Sequence, residues 1–380
     1  MSKHVQRIFK LAVAVFALVL AVNLGAGTYQ AQASTVGAAS TKQTKTITDQ
    51  AGNKVTLPKN IKRVAIVGSI WPLPSVMAVF FNSADKIVSM PEPSMVAAKH
   101  SLLSELYPGI LKAKTASNDG TSINTEELKK VKPDVVFYGA EDTKMQQKLT
   151  NAGFKAVGIS VGKWKGNTIE TENNWISLLS QIFPKDNKAK ILKDYSNKVA
   201  KLVQKRTKNI KPAERQSVFF LRQYSSTAII TGGTVSFGQY WADAINVKNV
   251  VDIPNSNNVT QVTMEQIYQW NPQHILVTNF NSAMPKDLYN NTVGNYDWGK
   301  VAAVKDKQVA KMPMGMYRSY TPGVDTPITL LWVAKTVYPK QFKDINLVKE
   351  TKAYYKKVFN INLTTKQSNK ILKPDTSTWQ

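Results

Sequence analysis

The chain has 380 residues, 43% of them apolar, and 50 Lys/Arg against 25 Asp/Glu for a net charge of +25. That is enough chain for two domains with real cores, so small-scaffold solutions and disordered-chain classes are excluded. There is no cysteine, which excludes disulfides, thiolate metal sites and a thioether-linked lipid.

Lys3, Arg7 and Lys10 precede an apolar stretch from Leu11 to Leu24, and Ala31-Gln32-Ala33 has the small-x-small form of a cleavage site. Residues 1–33 therefore predict a signal peptide and export. The apolar run is short for a retained membrane anchor. Residues 34–46, rich in Ser, Thr and Ala, read as a flexible leader. Lysine is scattered along the chain, and no block of like charge reads as a nucleic-acid arm.

Residues 47–184 read as a first lobe. Ile47 to Pro58 predicts a hairpin with Gly52-Asn53 near its turn. Arg63 to Gly68, Lys86 to Met90, Asp134 to Tyr138 and Lys155 to Val161 are short apolar runs, as expected of buried parallel strands. Helical patterns lie between them at Pro74–Phe81, Ser94–Leu106 and Asp142–Asn151, and another follows at Glu170–Phe183.

Residues 185–211, bounded by Pro184 and Pro212, carry Ile191, Leu192, Tyr195, Val199, Leu202 and Val203 at helical spacing. A helix of that length is a rod of roughly 40 Å, long enough to join two bodies. On its two sides stand similar units. Asn124-Thr-Glu-Glu-Leu leads through Pro133 to an apolar strand, and Thr263-Met-Glu-Gln-Ile leads through Pro272 to another. Each reads as a capping box, a short helix, a proline stop and a strand.

The second lobe, residues 212–360, repeats the scheme with strands at Ser217–Leu221, Ala228–Gly232, His274–Thr278 and Gln308–Met312. Helices are expected at Phe237–Ile245, Asp325–Tyr338 and Lys343–Val358, and residues 361–380 read as a loose polar tail. The predicted fold class is α/β: two Rossmann-like lobes with mostly parallel sheets, joined by one long backbone helix.

No nucleophile elbow, P-loop, zinc-protease motif or paired carboxylate is present, so no enzyme is read. Aromatic and cationic residues instead collect where strands end, the positions that line the ligand crevice of open α/β sheets. These are Trp71, Tyr138, Lys163, Trp164, Arg222, Tyr224, Asn279, Tyr317 and Arg318. Aromatic walls and guanidinium forks suit an anionic or chelated ligand. His100 and the Met312, Met314, Met316 run are weaker metal-ligand candidates, and packing explains both. No metal site is assigned.

Ile61-Lys-Arg-Val-Ala-Ile-Val, the paired helix-to-strand units, Tyr296 to Pro313 and Asp325 to Phe342 resemble the substrate-binding proteins of ABC importers for iron-siderophores, haem and cobalamin. The resemblance spans about Ile47 to Phe359. It implies two lobes on one helix and capture of an iron-siderophore or similar metal chelate in the cleft. It also implies delivery to ABC permease and ATPase subunits, no intrinsic cofactor, a monomer and no nucleic-acid partner. A haem or corrinoid carrier of the same fold stays open, as does an exported enzyme or adhesin on this scaffold. The family often docks its permease through one acidic residue per lobe, whereas Lys114-Thr115 and Lys248 stand near those places here.

Overall fold

The structure is a computed structural model that describes residues 43–184, 187–254 and 259–374. The expected signal peptide and residues 34–42 of the leader lie outside the described residues. Thr44 to Thr46, expected as leader, belong to a strand. Strand β1 (Thr44–Thr48) pairs antiparallel with β2 (Lys54–Pro58). Asp49 closes this hairpin by accepting from the Ala51 and Asn53 amides, and Gly52 takes φ 90° at the tip.

The first lobe carries β3 (Val64–Ile66), β4 (Ile87–Ser89), β5 (Val135–Gly139) and β6 (Ala156–Ile159) in a parallel sheet of order β4-β3-β5-β6. The second carries β7 (Ser217–Leu221), β8 (Gln223–Tyr224), β9 (Ile229–Thr231), β10 (Lys248–Asn249), β11 (Thr260–Val262), β12 (His274–Val277) and β13 (Val309–Lys311). Its parallel sheet runs β10-β7-β12-β13, and β8, β9 and β11 form a separate antiparallel sheet. Each four-stranded sheet places its first strand between its second and third, with the fourth outermost. The two lobes are thus two versions of one winding. In both, the helix-to-strand unit read from sequence delivers the third strand.

Those units differ at their caps. Thr263 and Gln266 form the reciprocal capping box. Asn124 caps its helix by accepting from the Glu126 and Glu127 amides. Glu127 there pairs with Lys130 rather than closing the box.

The connecting helix is shorter than expected, Lys188–Thr207 rather than 185–211. Residues 185 and 186 lie outside the described set. Past Lys208 the chain runs to a short turn at Pro212–Glu214. Leu192, Val199 and Val203 bury the apolar stripe.

Alternation along the strands divides the interior. In β7, Val218 and Phe220 face the large core shared with the connecting helix, while Phe219 and Leu221 face a second core. In β5, Val135 and Phe137 face the large core, while Val136 and Tyr138 face a third. Burying each such apolar side chain stabilises the fold by about 1.5–3 kcal/mol.

Two helical expectations change. The single helix over Ser94–Leu106 is two, Glu92–Lys99 and Leu102–Leu106, because Ser101, itself buried, leaves the helical conformation and caps the second by accepting from the Leu103 amide. The tail expected to be loose contains the helix Thr365–Leu372, with Ile371 and Leu372 buried. Met314 donates its amide to the Ile371 carbonyl at 2.9 Å, which fixes that helix to the second lobe.

Candidate ligand-binding cavity

The loops after β3, β6, β7, β12 and β13 meet at one place. Trp71 lies beyond β3 on the first lobe, its Nε1 donating to the Gly120 carbonyl at 3.2 Å. Gly120 has φ 100°, and a β-carbon there would stand 3.0 Å from Pro93 and 3.1 Å from the indole nitrogen. Only glycine lets the backbone approach this closely.

Across the gap, Phe280 follows β12 on the second lobe, its ring 6.2 Å from Trp71. Arg222 follows β7 and lies 5.0 Å from the Phe280 centroid; Arg318 lies 4.9 Å from it. Both guanidiniums thus lie within cation–π range of the phenyl ring, an attractive arrangement. Arg318 donates to Tyr317 Oη at 2.9 Å, to the Asn279 carbonyl at 2.9 Å and to the Pro93 carbonyl at 3.1 Å. The last bond crosses from one lobe to the other.

These residues bound a cavity of about 130 Å³, lined by Trp71, Trp175, Arg222, Phe237, Phe280 and Tyr317 among others. Arg222 makes no ion pair among the described residues; its Nη1 donates to Gln223 at 3.2 Å. Burial pushes its pKa down, opposed weakly by Tyr320 and Tyr317, while Arg318 adds to the depression. Burial pushes the Tyr317 and Tyr320 hydroxyls up. The cavity therefore offers positive charge, neutral hydroxyls and aromatic walls.

The floor under Phe280 rests on Lys311, a side chain absent from the sequence-level candidates. Its buried ammonium donates to the carbonyls of Thr278, Asn281 and Ala283 at 3.0, 2.8 and 2.8 Å. Desolvation lowers its pKa from 10.5 to about 7.

Of the expected residues, Trp71, Arg222 and Tyr317 line the cavity, and Arg318 and Asn279 stand directly behind Phe280. Tyr138 does not reach it. The alternation of β5 turns it to the opposite face, where the Asn53 amide donates to its hydroxyl at 3.4 Å. Burial raises its pKa to about 12. Tyr224 lies in the second core, donating to the Val293 carbonyl and accepting from Trp298 Nε1. Lys163 is exposed on the loop after β6, and half-buried Trp164 packs on the large core; neither lines the cavity. Trp175 and Phe237 were not read from sequence. Trp175 sits mid-way along the helix Thr168–Ile182 and Phe237 opens the helix Phe237–Ala244, and both resemble ordinary core positions. Trp175 donates to the Ser160 carbonyl at 2.6 Å, which aims its ring into the gap.

His100 is exposed at the end of its helix, and Met312, Met314 and Met316 are buried. Among the described residues no group of three or more His, Cys, Asp or Glu is placed to hold a metal ion. None of the described helices is long and apolar enough to cross a membrane.

A family model described as periplasmic binding protein matches residues 84–314. The chain belongs to that family, the substrate-binding proteins of ABC importers. Its members bind solutes and are not enzymes, and they carry no intrinsic cofactor. The chain is 25% identical over 336 residues to the molybdate-binding protein MolA of Haemophilus influenzae, covering 82% of this chain and 90% of that one. A periplasmic solute-binding protein of Veillonella parvula superposes with a TM-score of 0.75 at 29% identity, covering 87% of this chain and 97% of the other. The structure of MolA bound to molybdate gives 0.71 at 22% identity, covering 84% and 99%. The fold is thus that of the two-lobed binding proteins.

Proposed function

We propose that the protein is the extracytoplasmic solute-binding subunit of an ABC importer that captures a small oxyanion in the cavity between its lobes. Permease and ATPase subunits then receive the cargo. One observation carries this reading: half-buried Arg222 lines a cavity of about 130 Å³ with no carboxylate paired to it among the described residues. A partly desolvated guanidinium without a counter-charge carries a cost, and an anion held by its fork offsets it. The volume lies well below the roughly 300–1,000 Å³ that a drug-sized ligand occupies. The molybdate bound by MolA is an anion of suitable size and charge.

A second reading keeps the metal chelate expected from sequence. It draws on the aromatic walls of Trp71, Phe280 and Tyr317 and requires the lobes to part to admit an iron-siderophore or haem.

Titration of the purified protein with molybdate, tungstate, sulfate and phosphate, and with ferric siderophores and haemin, separates the two. Intrinsic fluorescence is a direct probe because Trp71 and Trp175 line the cavity. Saturable binding of an oxyanion is expected, and R222A should weaken it by about 10- to 100-fold, the loss of a charge-assisted hydrogen bond. Binding of a chelate with no response to any oxyanion would overturn the first reading.

A further inference from the structure

Lysines that look scattered in the sequence are gathered by the fold. Residues 188–215 hold ten Lys/Arg against two Asp/Glu, and residues 340–374 hold nine against two. The rest of residues 43–374, more than four times as much chain, holds 27 against 20. The two basic segments are the connecting helix and the helices Leu347–Phe359 and Thr365–Leu372 with their flanks.

They also lie side by side. Tyr195 of the connecting helix packs at a tilt against Tyr354, ring centroids 5.0 Å apart, and Arg206 pairs with Asp344. A shallow groove between the first two helices is bordered by Lys198, Lys356 and Lys357, with Asp194 and Glu350 also along it. The third helix packs on the second, and Lys352 donates to Thr365 at 2.9 Å. Their apolar stripes face the core, so Lys193, Lys198, Lys201, Lys205, Lys356 and Lys357 are exposed. Asp194 and Asp344 are both taken up in ion pairs, and only Glu214 and Glu350 remain beside them against nineteen Lys/Arg of the two segments. None of these residues lines the ligand cavity.

We infer that this three-helix face is a docking surface for an anionic lipid membrane, separate from the solute site and independent of which solute is bound. The chemistry favours a fluid phosphate layer. The charges are almost all lysine, a compact hydrated ammonium on a flexible stem, suited to diffuse phosphates rather than to one fixed bidentate partner. Most are exposed and spread along the helices, with three of them at the rim of the groove. No aromatic or large apolar side chain is exposed on these helices, so the attachment is electrostatic, reversible and without insertion.

The test is sedimentation of the full protein with vesicles of phosphatidylcholine alone or with about 30% phosphatidylglycerol, at about 50 mM and about 500 mM salt. Binding is expected only to the anionic vesicles and only at low salt. The variant K193E/K198E/K201E/K356E/K357E should lose it by at least about tenfold. A control with equal charge reversal elsewhere, K54E/K144E/K155E/K248E/K305E, should keep most of it. Circular dichroism and the solute titration confirm that both variants are folded. Equal loss in the two variants would show a net-charge effect and overturn the assignment. So would binding to a soluble poly(glycerol phosphate) or to nucleic acid in preference to vesicles, or no binding to anionic vesicles at all.

Discussion

Lys311 shows how a single buried charge shapes the cavity from behind. Three backbone carbonyls of the loop that carries Phe280 converge on its ammonium. A neutral amine has one proton fewer to donate, so the loop loses a bond when Lys311 deprotonates. Its folded pKa of about 7 lies below the unfolded 10.5. Between those values the unfolded chain holds the extra proton, so this residue makes stability rise with pH, by up to about 1.4 kcal/mol per unit. K311M should remove that rise, flattening the melting temperature against pH from about 7 upward. It should also loosen Phe280 and weaken solute binding. Melts and titrations at several pH values check both, and an unchanged pH profile would refute the assignment.

At the scale of elements, much of the architecture was legible in the sequence. Prolines and caps marked the paired helix-to-strand units, and apolar runs marked the parallel strands. What was hidden has physical reasons. Ser101 sits inside an apolar pattern that continues on both sides, so periodicity alone does not reveal that its side chain caps a new helix. The last helix is polar except for Ile371 and Leu372, and only its docking under Met314 makes it ordered. I371A should therefore cost about 2–5 kcal/mol in denaturant unfolding; a loss below about 0.5 kcal/mol would mean a loosely held tail. Direction at strand ends was equally out of reach. The motif that flagged Tyr138 and Tyr224 fixed their position in the chain but not the face to which they turn. Trp71, Arg222 and Tyr317 carry the same sequence signal and do meet.

At the scale of the whole molecule, the lobes also meet through buried carboxyls. Glu172 on the first-lobe helix Thr168–Ile182 is fully buried, and its Oε1 has no partner among the described residues. It faces Thr326 and Asp325 at the start of the second-lobe helix Thr326–Val337, with Tyr240 and Tyr354 nearby. Burial raises its pKa well above the usual value, and raises that of Asp325 to about 6. For an acid shifted upward the folded state holds the extra proton, so stability falls as pH climbs from the unfolded value to the folded one. E172Q keeps the shape and removes the titration. Its stability should fall less steeply than that of the parent as pH rises above the ordinary carboxylate range. This slope change is opposite in sign to that of K311M, and parallel curves for parent and variant would refute it.

The bonds that close the cleft also set a speed limit on capture. Leu102 N–H to the Gly315 carbonyl at 3.1 Å and Arg318 to the Pro93 carbonyl at 3.1 Å both span the gap. Capture of a solute that must pass between the lobes is predicted to wait for these latches to open. Opening is a unimolecular event, so in stopped-flow mixing the observed rate should climb with solute concentration and then level off. The height of that plateau is the frequency with which the protein unlatches by itself.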